Sequence, residues 1–303
     1  MDQTPPAHPV AEHPVRLEII EPAVNSTRST TTDPDGRFVF SGLPVGGTRI
    51  FLVDVEYGGV PYTTRVSLSG AAPVREVPVS VFVATTDRSA VHGTVAFAVF
   101  ELVHGALRVS VVQQLENETD QAVAVTSADP LVFPLPVVSP TPRAAAPVQF
   151  VGGWRDPRVK DNTITDTMPV LPGVTQVAYA FGIAARAPAA TLRWDLPYGA
   201  ADVELLSDPS LRISGPNLHA NGIVTERGHR YARWSGGTVP ANGSVSVRVE
   251  GLPAAVDRWP GIAAGGLALV LVGGLVVALC RGSAARQRRR IPTASPAQAG
   301  RRP

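Results

Sequence analysis

Apolar and polar residues alternate with a period of two through most of the first 250 residues, which is typical of strands that bury one face. No amphipathic helical run longer than about ten residues interrupts this pattern. Turn sequences rich in glycine, proline, aspartate and asparagine separate the alternating runs. The pattern therefore predicts an all-β body, whose amino-terminal part has strands at 15–20, 27–32, 37–40, 49–57, 60–68 and 74–83.

The stretch from Val91 to Glu250 has the same alternating character. Strands and turns recur in it at a spacing that is typical of a β-sandwich, so it predicts a second one. Trp194 alternates in phase with Leu192 and Leu196, which places it in the predicted core. Because proline cannot donate to a sheet ladder, the prolines of 130–147 predict an edge strand that leads into a loop.

A different pattern occupies Gly261–Cys280, where twenty consecutive residues carry no charge. A helix of that length spans about 30 Å, the thickness of the hydrocarbon core of a bilayer. Trp259 lies where an interfacial aromatic residue belongs, and Arg281 follows the apolar run at once. A buried helix of a soluble protein is the alternative, but such a helix is seldom so uniformly apolar. The pattern predicts a linker at 252–258 and one transmembrane helix at 259–280.

Small residues recur along the predicted helix. Glycine has no side chain beyond its hydrogen, so it lets a second helix approach closely in the membrane. This spacing makes a helix-mediated homodimer a further prediction, and the glycines concerned are Gly261, Gly265, Gly273 and Gly274.

Charge is divided across the apolar segment. Residues 281–303 contain seven arginines and no acid, whereas the preceding residues carry 20 basic and 25 acidic side chains, although the whole chain has a net charge of only +2. The positive-inside rule therefore places a basic tail at 281–303 in the cytoplasm and the body outside the plasma membrane. The residues that set this orientation are Trp259, Arg281, Arg286, Arg288, Arg289 and Arg290.

The sequence pI of about 9.0 is a property of this tail and not of the body. A basic patch is the usual footprint of a nucleic-acid-binding protein, but here the patch disappears once the tail is set aside. Anionic lipid headgroups are the expected counter-charge of the tail. We therefore expect the lipid bilayer as a partner, through 259–280, and no nucleic acid.

Residues 31–62 contain turn and strand residues in a recognisable order: a threonine-rich strand, an aspartate–glycine turn, two alternating phenylalanines, a Gly-Leu-Pro turn and a long strand that ends in a hairpin. The set is Thr32, Asp33, Gly36, Phe38, Phe40, Gly42, Leu43, Pro44, Gly59, Val60 and Tyr62. This order resembles the signature of the carboxypeptidase regulatory-like domain, a transthyretin-like β-sandwich. The resemblance covers about residues 15–86, and its turn signature is carried by Asp33, Gly36, Phe38, Phe40, Gly42 and Pro44.

The resemblance implies a tandem arrangement. A regulatory-like β-sandwich at 15–86 would be followed by a second sandwich at 89–251, both of transthyretin or immunoglobulin type. This order of parts is similar to that of membrane-anchored bacterial surface proteins that follow the regulatory-like domain with one more β-domain. The fold class expected for the chain is therefore all-β, with tandem β-sandwiches and one carboxy-terminal transmembrane α-helix.

The beginning of the chain raises a question of topology. Residues 1–14 have neither the basic nor the apolar region of a signal peptide, and we interpret them as a disordered segment. Either the body is cytoplasmic and the chain is tail-anchored, or the natural protein begins upstream of Met1 with a signal peptide. We favour the second interpretation, because the family's domain opens with one more strand and Val15–Ile20 has the character of the second.

The sequence contains no recognisable catalytic constellation. A single cysteine excludes an internal disulfide and a cysteine-rich zinc site. The histidines show no zinc-peptidase spacing, and no nucleophile elbow, phosphate loop or dinucleotide fingerprint is present. Asp33 and Asp35 resemble the start of a calcium loop, but the other ligands are missing and turn chemistry explains them better. We expect a protein that is not an enzyme and that has no cofactor and no metal site.

Aromatic residues in the predicted second sandwich are the candidates for binding. Trp154 follows two glycines in a loop-like context, and Tyr198 and Trp234 lie close to other turns. Planar side chains on a β-sandwich stack on sugars or fill pockets of a protein partner. The alternative for each of the three is packing in the core.

Two functions from different classes fit these observations. The first is a non-enzymatic, single-pass envelope protein of the bacterial plasma membrane that presents its β-sandwiches to a protein, a glycan or another envelope component. The second is an accessory or scaffold subunit of a membrane enzyme or of an export or biogenesis complex, which would act through its helix and arginine tail.

Overall fold

The structure, a computed structural model, describes residues 1–4, 7–21, 24–45, 49–103, 105–139, 147–183 and 187–253. Within these ranges the chain forms twenty β-strands and no helix, which confirms the all-β prediction. The predicted transmembrane segment and the basic tail lie outside the described residues. None of the described segments is a helix of the length and apolarity that crossing a membrane requires.

The amino-terminal part of the chain is built on one antiparallel sheet. Its strands are β1 (Pro14–Ile20), β2 (Ser26–Thr31), β3 (Ile50–Tyr57) and β4 (Val60–Val66). They are hydrogen-bonded in the order β2-β1-β3-β4. The two-residue turn between β3 and β4 has φ values of 59° at Gly58 and 75° at Gly59, and glycine adopts such values without strain. The four strands confirm four of the six strands predicted for this part.

Two other predicted strands are not formed. Residues 37–40 and 74–83 alternate apolar and polar side chains as expected, but the structure pairs no strand within 37–45 or 73–80. Pro73 and Pro78 have no N–H to donate, so the second segment can pair with a strand only through its remaining backbone groups. The prediction of strands there is wrong, because alternation reports an extended chain with one buried face and not a hydrogen-bonded neighbour.

The amino terminus is packed against this sheet. The Met1 ammonium donates to the carbonyl oxygen of Val79 at 2.7 Å, and Asp2 forms a parallel bridge with Val81. Asp2 is only 1% exposed. The interpretation of 1–14 as a disordered segment is therefore wrong for the residues of that range that the structure describes.

The remaining strands follow in chain order. They are β5 (Ala84–Thr85), β6 (Val91–Val103), β7 (Ala106–Asn117), β8 (Ala122–Val123), β9 (Leu131–Pro134), β10 (Val137–Ser139), β11 (Gln149–Gly152), β12 (Arg158–Lys160), β13 (Thr163–Asp166), β14 (Gly173–Ile183), β15 (Ala189–Leu196), β16 (Asp202–Ser207), β17 (Arg212–Ser214), β18 (His219–Glu226), β19 (His229–Gly236) and β20 (Gly243–Glu250).

These strands form one large sheet and three smaller ones. The large sheet has seven strands in the order β11-β14-β7-β6-β16-β19-β18. A four-stranded sheet has the order β10-β15-β20-β17, a three-stranded sheet the order β12-β13-β9, and β5 pairs with β8. Both β9 and β10 lie at sheet edges, which confirms the edge strand predicted for the proline-rich region.

The main hydrophobic core lies between the seven-stranded and the four-stranded sheet. Tyr179 and Leu205 of the large sheet and Leu192 and Val247 of the smaller one belong to one buried cluster. Trp194 is 3% exposed in the same cluster, which confirms its predicted place. The amino-terminal sheet has a separate core, to which Ala122 of β8 also belongs.

Candidate functional site

A cavity of about 870 Å³ lies over the apolar face of the amino-terminal sheet. Its floor is formed by the side chains that alternate inward from two neighbouring strands, Val15 and Leu17 of β1 and Phe51, Val53 and Val55 of β3. All five are buried. The volume falls within the range of about 300–1,000 Å³ that is usual for ligand pockets.

The walls of the cavity are the two extended segments that the sheet does not incorporate. The first wall, residues 36–45, turns Phe38 and Phe40 toward the floor and leaves Val39 77% exposed. The second wall, residues 73–81, turns Val79 and Val81 inward in the same way. Each wall therefore presents an apolar side to the cavity and a polar or exposed side to solvent.

An aspartate turn positions the first wall. The Oδ1 atom of Asp33 accepts from the backbone N–H of Asp35 at 3.0 Å and from that of Arg37 at 2.8 Å. Gly36 has a φ of 71°, a value that side chains rarely allow. The Arg28 guanidinium then donates to the carbonyl oxygen of Ser41 at 2.8 Å. The predicted turn at 33–36 is confirmed. The Asp33 carboxylate stabilises this turn by accepting the two backbone hydrogen bonds.

Tyr62 of β4 positions the second wall. Its hydroxyl donates to the carbonyl oxygen of Phe82 at 3.1 Å and accepts from the N–H of the same residue at 3.0 Å. Burial raises the pKa of Tyr62 above its ordinary value, so the hydroxyl keeps its proton at neutral pH. The wall is thus held to the sheet by a side chain that satisfies both backbone groups of one residue.

The amino terminus supports the same wall through Asp2. The Asp2 carboxylate accepts from the Thr4 N–H at 2.8 Å and from the Tyr57 hydroxyl at 2.9 Å. Burial by itself would raise the pKa of Asp2, but these hydrogen bonds and nearby His8 outweigh it and hold the pKa below its ordinary value. Asp2 is therefore a carboxylate at neutral pH, and its charge holds the first residues in place.

The mouth of the cavity carries charge. Arg37, Arg75 and Glu76 line it and are exposed. Among the described residues, no carboxylate lies within ion-pair distance of Arg37 or Arg75. The cavity therefore combines an apolar interior with two unpaired cations at its rim.

The aromatic residues proposed from the sequence lie elsewhere, in the larger sheets. The indole of Trp154 and the ring of Tyr198 both contact buried Phe133, at centroid distances of 5.3 and 5.8 Å. The Trp154 indole N–H donates to the carbonyl oxygen of Ala178 at 2.7 Å. The Tyr198 hydroxyl accepts from the backbone N–H of Val132 at 3.0 Å. Both residues are half-buried, and their polar atoms are engaged within the protein.

Trp234 is not part of this group. It lies on β19, opposite Leu205 of β16, and packs against the main core. Its indole nitrogen is buried and has no hydrogen-bond partner among the described residues. The structure thus brings Trp154 and Tyr198 together around one ring and leaves Trp234 apart. A binding role for the three stays a prediction.

Polar pairs surround a smaller apolar cluster on the far face of the seven-stranded sheet. The Tyr231 hydroxyl donates to Oε1 of Glu101 at 2.9 Å, and an Nη2 of Arg233 donates to Oε2 of Glu204 at 3.1 Å. Burial raises the pKa of Glu204, and Arg233 opposes that shift. Each of these polar groups has a hydrogen-bond partner within the protein. The face therefore offers no free acid or base for catalysis among these four residues.

The described part of the chain contains no group of three or more histidine, cysteine, aspartate or glutamate side chains that could hold a metal ion. His219 and His229 are exposed on the hairpin of β18 and β19. The buried Asp166 carboxylate accepts from the backbone N–H of Asp156 at 3.0 Å and from that of Met168 at 3.0 Å. Its role is therefore structural.

Comparisons with known proteins give only distant likenesses. No family model matches the chain, and no curated protein matches it. Among solved structures it is similar to an M1 zinc metallopeptidase from Deinococcus radiodurans, at 13% identity and a TM-score of 0.34, over 54% of this chain and 42% of that one. A two-domain M1 zinc metallopeptidase variant bound to L-tryptophan has 12% identity and a TM-score of 0.33, over 56% of this chain and 44% of that one. The chain spans less than half the length of these peptidases.

Proposed function

We propose that the protein is a non-enzymatic, single-pass envelope protein of the plasma membrane, and that it binds a partner through the cavity of its amino-terminal sheet. The observation that carries this proposal is the cavity itself, with about 870 Å³ of space over an apolar floor. A small β-structure ordinarily closes such a space with side chains, because an unfilled apolar cavity destabilises the fold. A cavity of this size is therefore more consistent with binding than with packing.

The proposed architecture is a tandem of β-sandwiches, at 15–86 and 89–251. Two separate core clusters support this division. In the first unit the structure has one four-stranded sheet, and the two extended walls cover it where a sandwich has its second sheet. In the second unit, the face-to-face arrangement of a seven-stranded and a four-stranded sheet around one cluster supports a sandwich of the transthyretin or immunoglobulin type. The resemblance to a carboxypeptidase regulatory-like domain belongs to the same proposal, with the Asp33 turn as its structural support.

Membrane attachment rests on the sequence of the carboxy-terminal part. Twenty uncharged residues at 261–280 are followed by a tail with seven arginines, and this order favours a cytoplasmic tail. The body would then face the envelope, where the cavity is available to other envelope components.

Protease accessibility in the source organism tests this topology. An epitope is added after Pro303 at the chromosomal locus, and protease is applied to intact spheroplasts. The expected result is loss of the body and survival of a short, membrane-bound fragment that carries the epitope. Loss of the epitope before detergent is added, with the body intact, would contradict the proposal.

A matched pair of truncated proteins separates the two candidate functions. One lacks 259–303 and the other keeps 259–280 but lacks the tail. If the protein binds through its body, the form without the helix still captures the partner. If it is an accessory subunit that acts through its helix, partners co-purify only with the form that retains 259–280.

A further inference from the structure

In the described structure, few backbone groups of the two walls have partners. These are the Gly36 and Arg37 groups of the Asp33 turn, the carbonyl oxygens of Ser41, Gly42 and Val79, and both groups of Val81. Among the described residues, no backbone N–H of Phe38–Val45 or of Pro73–Ser80 donates to a backbone carbonyl oxygen. Over 37–41 and 77–81 the side chains nevertheless alternate between buried or half-buried and exposed positions, as those of strands do. Phe38–Ser41 and Val77–Ser80 therefore have the side-chain pattern of a strand with an unpaired edge, and the first wall bends after them at Gly42, whose φ is 64°.

Unpaired strand edges are templates for another extended chain. Here two such edges line one cavity, whose floor is the apolar face of a sheet. We propose that the cavity accepts one extended strand of a partner polypeptide, which adds to the walls by backbone hydrogen bonds. This inference rests on the proposed function only in taking the cavity as the binding site.

The floor of the cavity determines which side chains the bound partner strand, here called the guest strand, carries. Leu17, Val53 and Val55 point into the cavity from β1 and β3. A strand above them would turn every second side chain toward this floor. Branched apolar residues at alternate positions fill such a space, and the intervening residues face solvent and are polar.

The rim specifies the charge of the guest. Arg37 and Arg75 are exposed at the mouth and have no carboxylate partner among the residues the structure describes. Glu76 supplies one opposing charge. The net positive rim favours a guest with acidic residues at its outward positions, because a carboxylate there can pair with either guanidinium.

A lipid acyl chain is the main competing occupant of an apolar cavity. Such a chain fills the volume but offers no donor or acceptor to the walls. The backbone N–H groups of the non-proline residues in Phe38–Val45 and Pro73–Ser80 would then be covered without partners, which is unfavourable. The backbone edges therefore favour a peptide over an acyl chain.

Amide hydrogen exchange of the full chain in lipid nanodiscs tests the proposal. The probe is a synthetic peptide of about seven residues in which valine alternates with threonine and glutamate. The matched control is the same peptide with alternate backbone nitrogens methylated, which keeps its side chains and removes its ladder donors. We expect the unmodified peptide to slow exchange in both walls by at least about tenfold at saturation, and the methylated peptide to have no such effect.

Two variants and one control variant locate the site. Val77→Trp fills the cavity and should weaken peptide binding by about tenfold or more, whereas Val24→Trp, at an exposed position outside the cavity, should not change it. Arg75→Glu changes only an exposed side chain and so tests the site without risk to the core. It should weaken binding of the glutamate peptide, and a peptide with lysine in place of glutamate should restore it.

Each other outcome overturns the proposal. Equal protection by the methylated peptide would mean that apolar filling alone drives binding. Protection by a long-chain fatty acid and not by the peptide would assign the cavity to lipid. Protection that rises with protein concentration in the absence of peptide would assign it to a second copy of the chain. The protease test of topology is independent, so a failure of either proposal is recognised separately.

Discussion

The hydroxyl of Tyr62 bridges both backbone groups of Phe82, donating to its carbonyl oxygen at 3.1 Å and accepting from its N–H at 3.0 Å. Nothing else in the described structure holds the backbone of this residue to the sheet in the same way. The Tyr62 hydroxyl therefore makes the two backbone hydrogen bonds that a neighbouring strand would make with Phe82. It holds the end of the second wall extended and leaves the free backbone edge of that wall uncovered.

Tyr62→Phe should loosen this wall. The substitution keeps the ring and leaves the Phe82 N–H and carbonyl oxygen without their partner, so we expect a loss of about 1–2 kcal/mol in the free energy of unfolding. Hydrogen exchange should rise in 73–83 and stay unchanged in β15. Thr63→Val, which removes an exposed hydroxyl bonded to Asp54, is the control and should be close to neutral. Equal effects of the two variants would refute the role given to Tyr62.

Acid should release the amino terminus. Because the folded pKa of Asp2 lies below its ordinary value, its contribution to stability is complete above that ordinary value and is lost as pH falls through the folded pKa. Exchange of the Val81 N–H, which donates to the Met1 carbonyl oxygen, should therefore accelerate below about pH 4 beyond its intrinsic trend.

Asp2→Asn is the matched control for that pH dependence. The amide has no charge to lose, so the segment should be less stable at neutral pH and its stability should no longer vary in the acid range. An unchanged acid transition in the variant would show that another group is responsible.

Gly153→Ala should be among the most damaging substitutions in the larger sheets. Gly153 has a φ of 78°, and a Cβ there would lie 1.7 Å from the carbonyl oxygen of Gln176 on β14. We expect a cost of at least about 3 kcal/mol in denaturant unfolding. Gly222→Ala is the control, since its φ of 81° is similar and a Cβ would meet nothing within 4 Å. It should cost roughly 1–2 kcal/mol, and comparable losses would contradict the steric account.

The two tryptophans should respond differently to loss of the indole N–H. Trp154→Phe removes the donor to the Ala178 carbonyl oxygen and should cost about 1 kcal/mol or more. Trp234→Phe loses the same ring volume, but its indole nitrogen is buried without a partner in the described structure, so it should cost about 1 kcal/mol less than Trp154→Phe. Thermal unfolding of both variants checks this difference, and the reverse order would contradict the assigned contacts.

Local signals were sufficient to predict much of the first sheet. Alternation marked β1 and β3, two adjacent glycines marked the turn at 58–59, and the Asp33 turn has the predicted form. Each of these features depends on residues that are neighbours in sequence. The burial of Trp194 followed from the same kind of phase argument.

The unpaired walls could not be predicted in this way. Alternation in 37–40 and 74–83 reports which side chains are buried, and it is the same whether or not a strand lies alongside. The place of the amino terminus depends on Asp2 and Tyr57, which are 55 residues apart. Likewise, Trp154 follows two glycines in sequence but packs on Phe133 and Tyr179 from distant strands. Such contacts leave no local pattern.

In the functional protein, the cavity of the amino-terminal sheet is proposed to hold an extended strand. Hydrogen exchange of the full chain purified gently from its own membrane measures this directly, compared with the same material after denaturant washing and refolding. We expect the amides of the non-proline residues in Phe38–Val45 and Pro73–Ser80 to be protected in the native preparation and to exchange freely after the wash. Free exchange of both walls in the native preparation would contradict it.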